Sequence, residues 1–437
     1  MSAADAVAAP PPVRKREIFG WAMFDFANSS YTTVVITAVY AEFFTEHVVP
    51  AGAARDSYWS LAIVLSTVLA LGLSPLVGAI CDKSGRKKVY LLGTTAACSL
   101  ATAALALVGP GDLGAGVALV ALSNAAFMLS ESFCASFLPE LATEKTMGKI
   151  SGLGWGLGYF GGLASLLLVG SIVGGEGPGE VGRTQRAMVV TALFFTASSL
   201  PTLLLVRERG RPAPGFEGAG LGRLLRAGLG ELKQTAGLAR QHWVLFRFLL
   251  AFMVYMAGLE AVIKFVGIYA RSELQFGMGD LQTLFVILQF SAAGGAFAFG
   301  LVEARIGAKP TVLATLGLWF VAVMAIYGLG ALSAAAGVEP KRLFFAVALL
   351  AGTGIGATQS SSRTVVGLLA PPERSAQIFG FWGMFSRLGT ILGMSFGVAA
   401  DLLHSRRTAL LLVASFFVAG AVLLWPIPID RPSRARA

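Results

Sequence analysis

Apolar residues in this chain gather into runs of about twenty or more, and polar residues fill the short gaps between them. A helix of that length spans about 30 Å, the thickness of the hydrocarbon layer of a bilayer. The pattern predicts twelve such helices, over 18–44, 58–80, 89–108, 115–138, 150–173, 187–206, 243–270, 281–303, 310–331, 342–365, 376–400 and 408–426. The longest polar gap, 207–242, divides them six and six. The expectation is an all-α membrane protein of two pseudo-symmetric six-helix bundles, 18–206 and 243–426, with tails at 1–17 and 427–437.

Composition supports this reading. Hydrophobic residues make up 55% of the 437 positions and charged residues 13%, with a mean hydropathy of +0.72. A soluble chain carries roughly 25% charge, so a soluble multidomain enzyme, a disordered chain and a fibre are excluded. The net charge of +10 sits in the gaps, as in loops that stay on the cytoplasmic side, and not in a nucleic-acid-binding patch. With the N-terminus inside, 22 Lys and Arg fall in inner segments and 8 in outer loops, counting Arg342 at the outer edge of the tenth span. That asymmetry places both termini in the cytoplasm of a multi-pass protein of the bacterial inner (plasma) membrane. The first 17 residues have no apolar core of a cleaved signal peptide.

Within the 207–242 gap, Leu221, Leu224, Leu225 and Leu232 recur at helical spacing, while Arg223, Arg226, Lys233 and Arg240 take other positions. This fits an amphipathic helix on the membrane surface, or a partly helical linker without lipid contact. The bundles also resemble each other. Gly154, Gly158 and Gly162 in the fifth span match Gly389, Gly393 and Gly397 in the eleventh at an offset of 235, which also carries Asn124 onto Gln359. Small residues four apart let helix backbones approach, and internal repeats mark transporters with a site at the repeat interface.

Residues 78–88 read Gly-Ala-Ile-Cys-Asp-Lys-Ser-Gly-Arg-Lys-Lys. In Gly78, Asp82, Gly85, Arg86 and Lys87 this loop resembles the gating motif of the major facilitator superfamily. Gly78 permits a close helix contact, Gly85 a tight turn, and Asp82 can meet an arginine or a helix N-terminus. The bland reading is a positively charged inner loop. The second-half copy, Gly300 to Lys309, has Ala304 where the acid belongs, with Glu303 one residue early. Three further stretches resemble the vacuole-effluxer branch of that superfamily, named for the autophagy-related amino-acid exporter. They are 20–29, with Asp25, Asn28 and Ser29; 137–141 with 151–162; and 356–363 with Phe379-Gly380. The resemblance implies secondary transport, with efflux of amino acids or similar metabolites.

Ionisable residues at mid-membrane are costly and point to function. Asp25, Asn28, Ser29 and Thr32 share a face of the first span. Asn124 and Glu131 share a face of the fourth, Glu260 and Lys264 are four apart in the seventh, and Gln359, Ser362 and Arg363 lie within one turn of the tenth. Arg387 stands alone in the eleventh. In major facilitators spans one, four, seven and ten line the central cavity. Against each stands a structural reading: Asp25 as a brace, Glu260–Lys264 as a self-neutralising pair, Arg363 snorkelling to headgroups, Arg387 as a salt-bridge partner between the bundles. Tyr31, Trp155 and Trp382 read more readily as packing aromatics.

Other signals fall away. Gly156–Gly161 fits a dinucleotide fingerprint but lies inside an apolar helix with no strand before it. No phosphate-binding loop and no His-Glu-x-x-His are present. Three cysteines in apolar surroundings make no disulfide framework, and His47, His242 and His404 are far apart. The expected protein is not an enzyme and needs no cofactor or metal. It is a monomeric alternating-access carrier of a small polar or zwitterionic substrate, with protons as the coupling ion and Glu131 as first choice for the titrating group. A receptor or scaffold retaining the fold is the alternative.

Overall fold

The computed structural model describes residues 12–50, 55–173, 179–233 and 235–429. Most of the expected N-terminal tail and most of the C-terminal tail lie outside them. Every regular element among the described residues is helical. The helices that build the two halves are α1 (Lys15–Tyr31), α2 (Arg55–Ser84), α3 (Lys87–Ala104), α4 (Leu113–Ala135), α5 (Met147–Val173) and α6 (Glu180–Leu205), then α8 (Trp243–Leu274), α9 (Met278–Ile306), α10 (Ala308–Tyr327), α11 (Pro340–Leu369), α12 (Ser375–Gly393) and α13 (Arg406–Leu424). Between the halves lies α7 (Leu221–Lys233).

Ten helices among the described residues are long and apolar enough to cross a membrane. The first and eleventh expected spans are interrupted. After Tyr31 the chain widens into π-helical turns at Thr32–Ala38 and Phe44–Val48. The run Thr32-Thr33-Val34-Val35-Ile36-Thr37 is β-branched, and such side chains crowd the preceding turn of a regular helix. The eleventh breaks at Met394, between Gly393 and Gly397, before a short helix Ser395–Leu402.

Two hydrophobic cores form. One joins residues 21–206 with Ala376, the other residues 245–429 with Ala135. Leucines and valines at the outside, among them Val68, Leu100, Leu193 and Val398, are 59–71% exposed. That is the surface a lipid phase requires and water would penalise. The halves meet along two seams, α2 against α12 and α5 against α9. Both seams are built on glycine. A Cβ on Gly78 would come 2.6 Å from the Ala376 carbonyl oxygen, and one on Gly300 2.7 Å from that of Gly148.

The glycine ridges face the first helix of their own half. Gly154, Gly158 and Gly162 lie against Asp25, Ser29 and Thr33 of the first span. Gly389, Gly393 and Gly397 lie against Met253, Ala257 and Phe265 of α8. Asp25 is ten residues into α1 and Met253 ten residues into α8, so each ridge begins at the same depth along the helix it packs on, although Gly154 is seven residues into α5 and Gly389 fourteen into α12.

The segment between the halves packs on the protein. Glu208 Oε2 accepts from Lys88 N at 2.8 Å, and Ala213 N donates to the Lys83 carbonyl at 3.0 Å. In α7, Leu224 is buried and Gly228 lies on Leu76 and Ile80 of α2, while Leu225 and Leu229 are exposed. Of the four leucines at helical spacing, Leu224 thus faces the protein and Leu225 does not; the side chains of Leu221, Leu232 and Lys233 lie outside the described residues. The surface that carries this segment is called the linker face below.

Where α1 begins, Glu17 is fully buried and pairs with Arg209 at 2.8 Å. Burial opposes its charge, yet the Arg209 guanidinium and the Arg14 and Arg207 amides hold its carboxyl below the ordinary 4.5. A depressed value stabilises the fold above 4.5, and that contribution is lost as pH falls through the folded value. Thermal unfolding of Glu17→Gln should lose this acid-dependent part of the stability curve below about pH 4.5; an unchanged acid limb would refute the assignment.

Candidate functional site

Among the described residues, Asp25–Arg363 and Glu131–Arg387 are ion pairs that cross between the halves, and in each the acid comes from the first half and the arginine from the second. In α1, Asp25 lies one turn beyond Trp21; in α11, Arg363 points back at it. Arg363 Nη1 donates to Asp25 Oδ2 at 2.7 Å, Nε to Ser151 Oγ at 3.0 Å and Nη2 to the Ser151 carbonyl at 2.8 Å. Its guanidinium carbon lies 4.7 Å from the Trp21 ring centre and 5.4 Å from that of Trp155. Ser151 Oγ in turn donates to the Ser360 carbonyl at 2.8 Å. Arg363, 3% exposed, is thus paired, hydrogen-bonded and covered. It does not snorkel to headgroups.

The second pair joins α4 to α12. Arg387 Nη2 donates to Glu131 Oε2 at 2.9 Å. Here the side chains keep 21% and 24% exposure, and Arg387 Nε has no hydrogen-bond partner. Arg387 lines a narrow cleft with Ala70, Ser74, Met128, Gly383 and Met384. Asp25, Arg363 and Glu260 are all near enough to act electrostatically on Glu131. The sequence reading set Arg387 apart from the polar clusters, with a salt bridge between the bundles as its structural role; the fold makes Glu131 that partner.

The other candidates divide. Glu260 and Lys264 pair along α8 at 3.8 Å, with Lys264 the more exposed. Gln359 accepts from the Tyr159 hydroxyl at 2.6 Å, a contact between the halves. Asn28 is buried, and its Oδ1 has no partner. Asn124 donates to Ser66 Oγ at 2.7 Å inside the first half, so it does not join Glu131 in a common contact. Tyr31 bonds Ser123 at 2.8 Å, and Trp382 packs on Phe252 and Phe379. Ser151 and Tyr159 carry no single-residue signal in sequence. The hint to that face was a second run, Gly148, Gly152 and Gly156, four apart on α5 and turned to α9.

At the linker face, Asp82 meets a helix N-terminus. Its two oxygens accept from Ala376 N at 3.0 Å and Gln377 N at 2.8 Å, in the first turn of α12. The free amides and the dipole of that turn favour a carboxylate. Lys87 Nζ, also buried, reaches Ser375 Oγ at 2.6 Å, the Ser136 carbonyl at 3.2 Å and the Glu140 carboxylate. Gly85 turns the chain at φ 64° beneath Arg211 and Pro212. Arg86 is exposed, so Lys87 is the cation at the seam. The degenerate copy keeps the arrangement in outline: Glu303, 4% exposed, lies against Gly148 in the first turn of α5. Glu231 of α7 adds a third tie, to Lys83 at 2.9 Å and Arg374 at 3.5 Å.

Comparison with known proteins places this arrangement. The family described as "Vacuole effluxer Atg22 like" matches residues 46–437. An uncharacterised transporter of the major facilitator type, YxiO of Bacillus subtilis, is 26% identical over 93% of this chain and 94% of its own. Autophagy-related protein 22-1 of Neosartorya fischeri is 24% identical over 66% of this chain; the match spans 49% of that longer protein. Among solved structures, the proton:xylose symporter XylE superposes with a TM-score of 0.71 at 13% identity, covering 94% of this chain and 95% of that one. A bacterial ferroportin homologue in an outward-facing state superposes at 0.69 with 10% identity, covering 94% and 98%. At such identities these structures speak for the fold alone. With its paired halves and the family match over most of its length, the chain belongs to the Atg22-like vacuole effluxer family, a branch of the major facilitator superfamily of transporters.

Proposed function

We propose that the protein is a secondary active carrier that moves a small polar metabolite, an amino acid or a similar zwitterion, across the membrane by alternating access. The observation that carries this reading is the placement of the ionic contacts. Asp25–Arg363, Glu131–Arg387 and Asp82 at α12 each join one half to the other. Each can break when the halves rock and reform when they return. The surplus of Lys and Arg in loops on the linker face supports a cytoplasmic position for it, so the present conformation is the one closed to the cytoplasm. The family's description as effluxers supports outward movement, and buried carboxylates supply groups for proton coupling, Glu131 first. The carrier works as a monomer in the plasma membrane.

Counterflow in proteoliposomes tests the reading. Vesicles loaded with an unlabelled amino-acid mixture should accumulate a labelled member of it transiently. Leakage without overshoot, or no uptake for any amino acid, refutes the carrier. In the same assay Asp82→Asn should lower the rate about tenfold while folded protein in the membrane stays near normal. It removes about 1.5–3 kcal/mol of charge-assisted hydrogen bonding from one state of the cycle only. Wild-type rates in that variant would exclude Asp82 from gating.

A further inference from the structure

We infer that the two ion pairs between the halves have different tasks: Asp25–Arg363 is a seal, whereas Arg387 is the docking point for a substrate carboxylate, which displaces Glu131 and, unless it carries an ammonium group of its own, brings a proton with it. The inference rests on the carrier reading and adds the chemistry of its site. A guanidinium has five N–H donors. Arg363 commits three nitrogens to Asp25 and Ser151 and is covered by Trp21 and Trp155. Two N–H remain, but the side chain is 3% exposed and lies under the two tryptophan rings, so no ligand reaches them. Arg387 commits one nitrogen, keeps Nε unpartnered, is 21% exposed and borders the cleft. Its Nε is buried without a partner, so once Glu131 gives way Nε and Nη2 together supply the bidentate contact that carboxylates prefer.

Charge balance then sets the coupling. The groups around Glu131 are Arg387 on α12, Arg363 on α11, Asp25 on α1 and Glu260 on α8, the last paired with Lys264. Three acids and three bases make the set neutral. A monocarboxylate that takes Glu131's place at Arg387 leaves the set with one negative charge too many, and an uncompensated carboxylate at mid-membrane is costly. A proton from the side where the substrate enters, added to a Glu131 carboxyl oxygen, restores neutrality. Substrate anion and proton therefore travel together, in the same direction. A zwitterion brings its own ammonium for Glu131 and needs no proton.

The test uses the full chain in lipid nanodiscs. The probes are the twenty standard L-amino acids, their carboxamides, acetate, lactate and pyruvate, at matched ionic strength. At least one acid should raise the unfolding temperature while its carboxamide does not. In weakly buffered solution a bound monocarboxylate should take up about one proton and a bound zwitterion none. Arg387→Gln should weaken acid binding about 10- to 100-fold, the loss expected for a charge-assisted contact. Arg387→Lys, which keeps the charge without the fork, should fold and weaken it about tenfold. Glu131→Gln should bind monocarboxylates at least as tightly and take up no proton. Carboxamides as effective as acids, no acid that stabilises, full binding in both Arg387 variants, or proton uptake persisting in Glu131→Gln would each overturn the inference. These are equilibrium measurements: failure of counterflow with these results intact removes transport and leaves the site, and the converse removes the site alone.

Discussion

Arg363→Met should open the linker face more than any other single change. Asp25 would be left buried without its partner, and Ser151 would lose both of its contacts with the guanidinium. Breaking a buried pair on one side costs about 3–5 kcal/mol. Because the pair joins the halves, that cost falls on the present conformation and not on one in which they have parted. The balance between states should shift by about two to four powers of ten. Spin labels at Glu144 and Glu373, exposed positions on opposite halves, should report a longer distance than in the parent protein. If the single variant fails to fold, Asp25→Leu with Arg363→Met leaves no buried charge and should fold with the longer distance. An unchanged distance in a folded variant would show that the pair is not part of the seal.

Gly393→Leu should be the most damaging change away from the charges. A Cβ at this position would lie 2.5 Å from the Ala257 carbonyl oxygen and 3.3 Å from Ala261 N. Both obstacles are backbone of α8 and cannot rotate away. The helices must separate, at about 3 kcal/mol or more, with loss of the groove that holds them together. Gly397→Ala should be mild, because its neighbour at 3.3 Å is the tip of the Phe265 ring, which can turn aside. Size-exclusion profiles and unfolding temperatures of the two variants, measured side by side, check the contrast. A Gly393→Leu protein as stable as its parent would mean that α12 does not pack on α8 as described.

Much of the site was legible as residue types and little of it as pairs. Asp25, Glu131, Arg363 and Arg387 stand out because charge in an apolar run is costly. Which acid meets which arginine is not a property of any one helix. Helical spacing shows that Asn124 and Glu131 share a face, but Asn124 turns to Ser66 while Glu131 turns to Arg387. That choice depends on the angle at which α2 and α12 cross α4. Likewise the glycine periodicity identified a packing face, and only the fold named what it packs on, α1 for one ridge and α8 for the other.

The sequence by itself determined the all-helical membrane class and the family, because these rest on local quantities: apolar run length and short motifs read along one helix or loop. The tertiary structure alone decided that Asp82 caps α12, that Arg363 is sealed in place by Ser151 and two tryptophans, and that Arg387 keeps donors free beside a cleft. Each of these joins residues more than two hundred positions apart. Contacts at that separation are set by how two packed bundles dock, and side-chain periodicity carries no information about the other bundle.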